Sequence, residues 1–135
     1  MNSATPGVGF PCSPRVAVVD ADRRVQQSIA EVLRVAGVDV VGTAGDPRAA
    51  MALVNDLRPS MLLVDPRLPD LDAGEAFLRS VMAAHPGMRI VLMGGSPPAD
   101  SRLAGAAFIS KPAPAEEFVA AALAVCRAGP EGGVP

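Results

Sequence analysis

Long apolar runs are missing from this chain. Charged residues interrupt every hydrophobic stretch, so nothing approaches the roughly 18 consecutive apolar residues that a membrane span needs. A spanning segment is thereby excluded, and the chain reads as soluble. An excess of one charge is missing as well: 12 basic and 14 acidic residues are interspersed and sum to a formal −2. That leaves no basic stripe able to follow a phosphate backbone, so direct nucleic-acid binding is not indicated. Cysteine is scarce. Cys12 stands in a Pro/Gly/Ser-rich lead and Cys126 near the other end, without metal-ligand spacing, and both read as reduced thiols of a cytosolic protein. The N-terminus lacks the basic flank and apolar core of a signal peptide, which agrees with a cytoplasmic location. The single histidine, His85, precedes Pro86-Gly87 and reads as a helix-end or surface residue. Nothing repeats internally.

What is present suits one domain: half of the 135 residues are apolar, enough to bury a core. Residues 1–14, with Pro6, Gly7, Gly9, Pro11 and Pro14, read as a flexible lead, and 129–135 as a matching tail. The domain then spans 15–128. Within it the pattern predicts strands at Arg15–Val19, Val38–Gly42, Met61–Val64, Arg89–Met93 and Ala107–Ser110. Helices are predicted from about Arg23 to Ala36, from the Asp46-Pro47 cap to Leu57, from about Gly74 to Ala84, and from about Pro114 to Arg127. Between Gly94 and Ala106, the glycines and Pro97-Pro98 leave room for only two helical turns, around Ala99 to Ala104.

Short β-rich runs alternating with helices predict an α/β fold with a parallel sheet, whose ligand chemistry gathers at the carboxyl ends of the strands. Three charged groups stand at such ends. Asp20 and Asp22 follow Val16–Val19, Asp65 follows Met61–Val64, and Lys111-Pro112 follows Ala107–Ser110. The topology therefore delivers residues from three distant segments to one crevice.

The stretch Leu63-Val64-Asp65-Pro66-Arg67-Leu68-Pro69-Asp70-Leu71-Asp72-Ala73-Gly74 resembles the phosphoacceptor motif of bacterial response-regulator receiver domains, and Ala104-Gly105-Ala106 leading to Phe108-Ile109-Ser110-Lys111-Pro112 resembles their last strand. The resemblance covers about Arg15 to Arg127. It implies a doubly wound, flavodoxin-like (CheY-like) five-stranded parallel sheet in the order 2-1-3-4-5, here with a shortened fourth helix. It further implies a switch in two-component signalling rather than a turnover enzyme: Asp65 would take a phosphoryl group from a sensor histidine kinase or phosphotransfer protein. An unidentified downstream protein would read the state, and a homodimer fits the same scheme. Mg²⁺ would be held by Asp20, Asp22, Asp65 and the Arg67 backbone carbonyl, a hard-oxygen set that suits this ion. Lys111, Gly94, Gly95 and Ser96 would surround the phosphate, Phe108 would occupy the aromatic switch position, and Lys111-Pro112 would be a cis bond, which is feasible only before proline.

The chain departs from the family pattern at three places. Ala21 stands where a second acid is usual, so Asp22 is the substitute ligand and Mg²⁺ affinity should fall. Gly94 replaces a hydroxyl residue, with Ser96 the nearest substitute. The Gly94–Ala106 connection is short. These departures keep open an alternative, a degenerate receiver that serves as a phosphorylation-independent interaction module. A nucleotide or flavin carrier on a similar sheet is disfavoured, because Asp20-Ala21-Asp22-Arg23-Arg24 offers carboxylates where a phosphate-cradling glycine loop would be needed.

Overall fold

The computed structural model describes residues 14–95 and 106–128. In chain order these form β1 (Arg15–Val19), α1 (Arg23–Val35), β2 (Asp39–Ala44), α2 (Pro47–Leu57), β3 (Met61–Val64), α3 (Leu71–Ala84), β4 (Arg89–Gly94), β5 (Ala107–Ser110) and α4 (Ala115–Ala128). The strands make one sheet in the order β2-β1-β3-β4-β5, with every pairing parallel. The predicted short helix between Ala99 and Ala104 lies outside the described residues, as do the lead through Ser13 and the tail from Gly129.

Residues of β1, β3 and β4 are almost all buried, because helices cover both faces and each side of the pleat needs apolar side chains. Alternation along the strands divides the core into two layers. Ala17, Val19, Leu62, Val64, Ile90 and Leu92 pack with Val54 of α2 and with Phe77, Leu78 and Val81 of α3. Val16, Val18, Leu63, Val91, Met93 and Ile109 face the other way, onto Ile29, Ala30 and Leu33 of α1 and Phe118 and Ala122 of α4.

Helix starts follow their caps. The Asp46 carboxylate accepts from the Ala49 amide with Pro47 at the first helical position, and the Asp22 carboxylate accepts from the Arg24 and Val25 amides. At its other end α1 closes through Gly37, whose φ of +89° lets its amide reach the Arg34 carbonyl and the Val38 amide reach Leu33.

Several boundaries differ from the sequence expectation. Helix α3 begins at Leu71, not near Gly74, because the Asp70 side chain caps it by accepting from the Ala73 amide. Gly74 thus sits inside the first turn. Strand β2 runs from Asp39 to Ala44 rather than Val38 to Gly42, since a bulge between the Val16 and Ala17 pairings inserts one extra residue and carries the ladder on to Thr43 and Ala44. Strand β4 reaches Gly94, which pairs with Ser110.

Candidate functional site

Backbone topology brings three of the charged residues together. Asp20 directly follows β1, Asp65 directly follows β3, and β1 pairs with β3 in register through Val19 and Val64, so the two carboxylates project from the same edge of neighbouring strands. Lys111 follows β5 and is anchored by its amide, which donates to the Gly94 carbonyl at 2.8 Å. Its Nζ lies 2.8 Å from Oδ2 of Asp20 and 2.8 Å from Oδ2 of Asp65. The Lys111-Pro112 bond is cis, as is Leu68-Pro69.

The second oxygen of each carboxylate is bound to backbone. Oδ1 of Asp20 accepts from the Asp22 amide at 2.8 Å, and Oδ1 of Asp65 accepts from the Arg67 amide at 3.0 Å. These contacts orient both acids. The Asp20 side chain is only 4% exposed and that of Asp65 13%, burial that an unpaired carboxylate would not tolerate and that the shared ammonium offsets. Burial opposes the charge on Lys111, but the hydrogen bonds it donates to Asp20 and Asp65 and the field of their carboxylates outweigh it and hold the ammonium above the ordinary lysine pKa.

Asp22 is placed differently. Oδ1 of its carboxylate is committed to the first amides of α1. Among the described residues no cluster of three or more His, Cys, Asp or Glu side chains is placed to hold a metal, so the acidic part of the site is the Asp20–Asp65 pair. Arg67 is adjacent through the amide that caps Asp65. Gly94 lies beside Asp65: a Cβ there would stand 3.9 Å from Oδ1 of Asp65 and 4.0 Å from Cε1 of Phe108, ordinary contact distances. Phe108 is half-buried and packs against the core layer of α2 and α3. No atom of the described residues lies within 4 Å of where a Cβ on Gly95 would stand, and Ser96 lies outside the described residues. A furrow of about 610 Å³ between α1 and α4 opens beside Lys111, with Val25, Ile29, Val32 and Phe118 in its lining and no acid among the described residues there.

Sequence reasoning passed over one neighbour of the site. Gln26 is buried, and its amide nitrogen donates to the carbonyls of Asp20 and Ala44. A signal was available: Gln26 shares the helical stripe of Ile29, Ala30 and Leu33, where a polar residue needs an internal partner.

Comparison with known proteins agrees with this arrangement. The model of the response regulator receiver domain matches residues 16–123. A protein-glutamate methylesterase/protein-glutamine glutaminase of Anaeromyxobacter dehalogenans is 40% identical over 82 residues, covering 59% of this chain and 22% of that protein. Another, from Syntrophotalea carbinolica, is 36% identical over 111 residues, covering 76% of this chain and 31% of that protein. The chain therefore spans less than a third of these relatives. Among solved structures, a CheY-like receiver domain protein from Methanospirillum hungatei superposes with a TM-score of 0.75 at 24% identity, covering 86% of this chain and 95% of that one. The NarL receiver domain from Mycobacterium tuberculosis gives 0.71 at 29% identity, covering 87% of this chain and 98% of that one. No helix among the described residues is long and apolar enough to cross a membrane. With two carboxylates and a lysine converging at the carboxyl edge of a 2-1-3-4-5 parallel sheet, and a family model that matches from β1 into α4, the chain belongs to the response regulator receiver domain family.

Proposed function

We propose that Asp65 is the phosphoacceptor of this receiver domain. An Oδ of Asp65 attacks the phosphorus of a phosphohistidine on a partner kinase or phosphotransfer protein. The O–P bond forms as the P–N bond breaks, and the electron pair returns to the imidazole, which takes up a proton. The reaction brings an anionic nucleophile to an anionic phosphoryl group, so fixed cations must screen it. The observation that carries this reading is the bridging ammonium, 2.8 Å from a carboxylate oxygen of both Asp20 and Asp65.

Receiver domains generally bind Mg²⁺ at this acidic pocket. The donor chemistry fits: Asp20 and Asp65 present hard carboxylate oxygens close enough to share one cation, and Mg²⁺ needs only one or two carboxylates because it keeps several waters. Asp20, Asp65 and the Arg67 carbonyl would hold the ion, which when bound neutralises charge on the phosphoryl oxygens. Ala21 supplies no ligand, and the Asp22 carboxylate is engaged by α1, so affinity is expected to be weak.

A specific observation also favours the alternative, a module whose partners dock without regard to phosphate. With no third acid among the described residues placed to complete a metal cluster with the pair, and no hydroxyl at Gly94, both the ion and the phosphoryl oxygens lose a partner. One experiment separates the readings. Incubation with Mg²⁺ and a small-molecule phosphodonor, followed by intact-mass measurement, should show one added phosphoryl group. Absence of that adduct at saturating donor would leave the interaction-module reading.

A further inference from the structure

We propose that Gln26 is a positioning residue for Asp20, a latch tying the loop that carries this carboxylate to the end of β2. The inference rests on the reading of the acidic pair as a cation and phosphoryl site and assigns the residue that sets its geometry.

Gln26 lies one turn into α1 and is 7% exposed, on the helix face that otherwise buries Ile29, Ala30 and Leu33. An apolar side chain at such a position would need no polar partner of its own. The amide instead spans two strand ends: Nε2 donates to the Asp20 carbonyl at 2.8 Å and to the Ala44 carbonyl at 3.2 Å. The Ala44 carbonyl also accepts the Asp20 amide at 3.1 Å, so the peptide groups on both sides of Asp20 are tied to the end of β2. Gly45 leaves the space required. A Cβ there would stand 3.4 Å from Nε2, tighter than most such contacts.

The consequence reaches the carboxylate through the backbone. Without Nε2, the Asp20 carbonyl loses the donor that satisfies it in the interior, and the peptide gains by turning toward water. Both bonds of the Asp20 side chain, from the Asp22 amide to Oδ1 and from Lys111 to Oδ2, depend on where that peptide sits. Gln26 touches neither the phosphoryl group nor the ion in this scheme. It acts through Asp20.

The test compares wild type with Gln26→Met, which keeps the volume and loses the donor, and Gln26→Lys, which keeps a donor and loses the shape. Two quantities are read in the full chain by NMR: Mg²⁺ affinity from amide shifts, and hydrogen exchange of the Asp22 amide, whose protection reports the placement of the Asp20 carboxylate. Gln26→Met should weaken Mg²⁺ binding about tenfold, the low end of what loss of an outer partner costs a metal site. It should also speed exchange at Asp22, while Gln26→Lys, whose added charge repels the ion, keeps Asp22 exchange closer to wild type than Gln26→Met does. Wild-type values in Gln26→Met, or equal losses of Asp22 protection in both variants as a packing role predicts, would overturn the proposal. Should Gln26→Met fail to fold, Gln26→Leu, which also lacks the donor and adds no charge, takes its place with the same expectation. If the wild type itself binds no Mg²⁺, the cation reading falls, and Asp22 exchange alone decides for or against the latch.

Discussion

Gly74 and Pro66 are in direct contact: a Cβ on Gly74 would overlap the carbonyl oxygen of Pro66. The first turn of α3 therefore packs against the Pro66 carbonyl in the loop after Asp65, and Leu68, fully buried in the core layer of α2 and α3, closes that loop onto the core. Gly74 is not needed here for a turn; it is needed for close approach. Gly74→Ala should push the Pro66 backbone away and destabilise the fold by about 1–3 kcal/mol, the usual cost of overpacking. Chemical denaturation measures this. Unchanged stability would mean that the start of α3 can shift without strain.

Asp65→Asn retains shape and removes the nucleophile. No phosphoryl adduct should form with a small-molecule donor, and the circular dichroism spectrum should match wild type. An adduct that persists in Asp65→Asn would place the acceptor at another carboxylate, with Asp20 the nearest through the shared Lys111.

Ala21 is exposed in the loop between β1 and α1, so a larger side chain needs no repacking there. Ala21→Asp should add a carboxylate beside Asp20 and tighten Mg²⁺ by about tenfold, equivalent to about 1.4 kcal/mol. Calorimetric titration checks it. An unchanged affinity would show that residue 21 does not face the ion.

Gly94→Ser is the complementary reversal. The distances from a Cβ to Asp65 and Phe108 are ordinary contacts, so stability should stay within about 0.5 kcal/mol of wild type. A conformational switch requires states that bind phosphate differently, and Gly94 has no hydroxyl to make that difference. Beryllofluoride with Mg²⁺ should therefore perturb amide shifts of the wild type only near Asp65, whereas in Gly94→Ser the changes should spread to Phe108 and into α4. A wild-type response that already extends that far would show that the switch operates without the hydroxyl.

Much of the fold was legible from neighbours along the chain. The runs Val16–Val19 and Met61–Val64 are too short and too apolar to be anything but buried strands between helices, and β1 and β3 occupy the expected residues. Asp46-Pro47 and Gly37 mark helix ends because their effects act within one turn. The start of α3 is set not near Gly74 but by the Asp70 cap, three residues before the amide it binds.

The order of apolar runs, caps and charged strand ends was enough by itself to determine a parallel α/β sheet and to place acids and a lysine at strand termini, since those properties depend on local sterics and hydrophobic period. The meeting of Asp20, Asp65 and Lys111 follows from that topology, whereas the contacts each of them makes were decided by tertiary structure. The bulge that lengthens β2, the commitment of the Asp22 carboxylate to α1, the burial of Gln26 against two strand ends and the ammonium shared by Asp20 and Asp65 all depend on register and packing between segments up to 91 positions apart. A hydrogen bond is decided by tenths of an ångström, and only the packed sheet sets distances that finely.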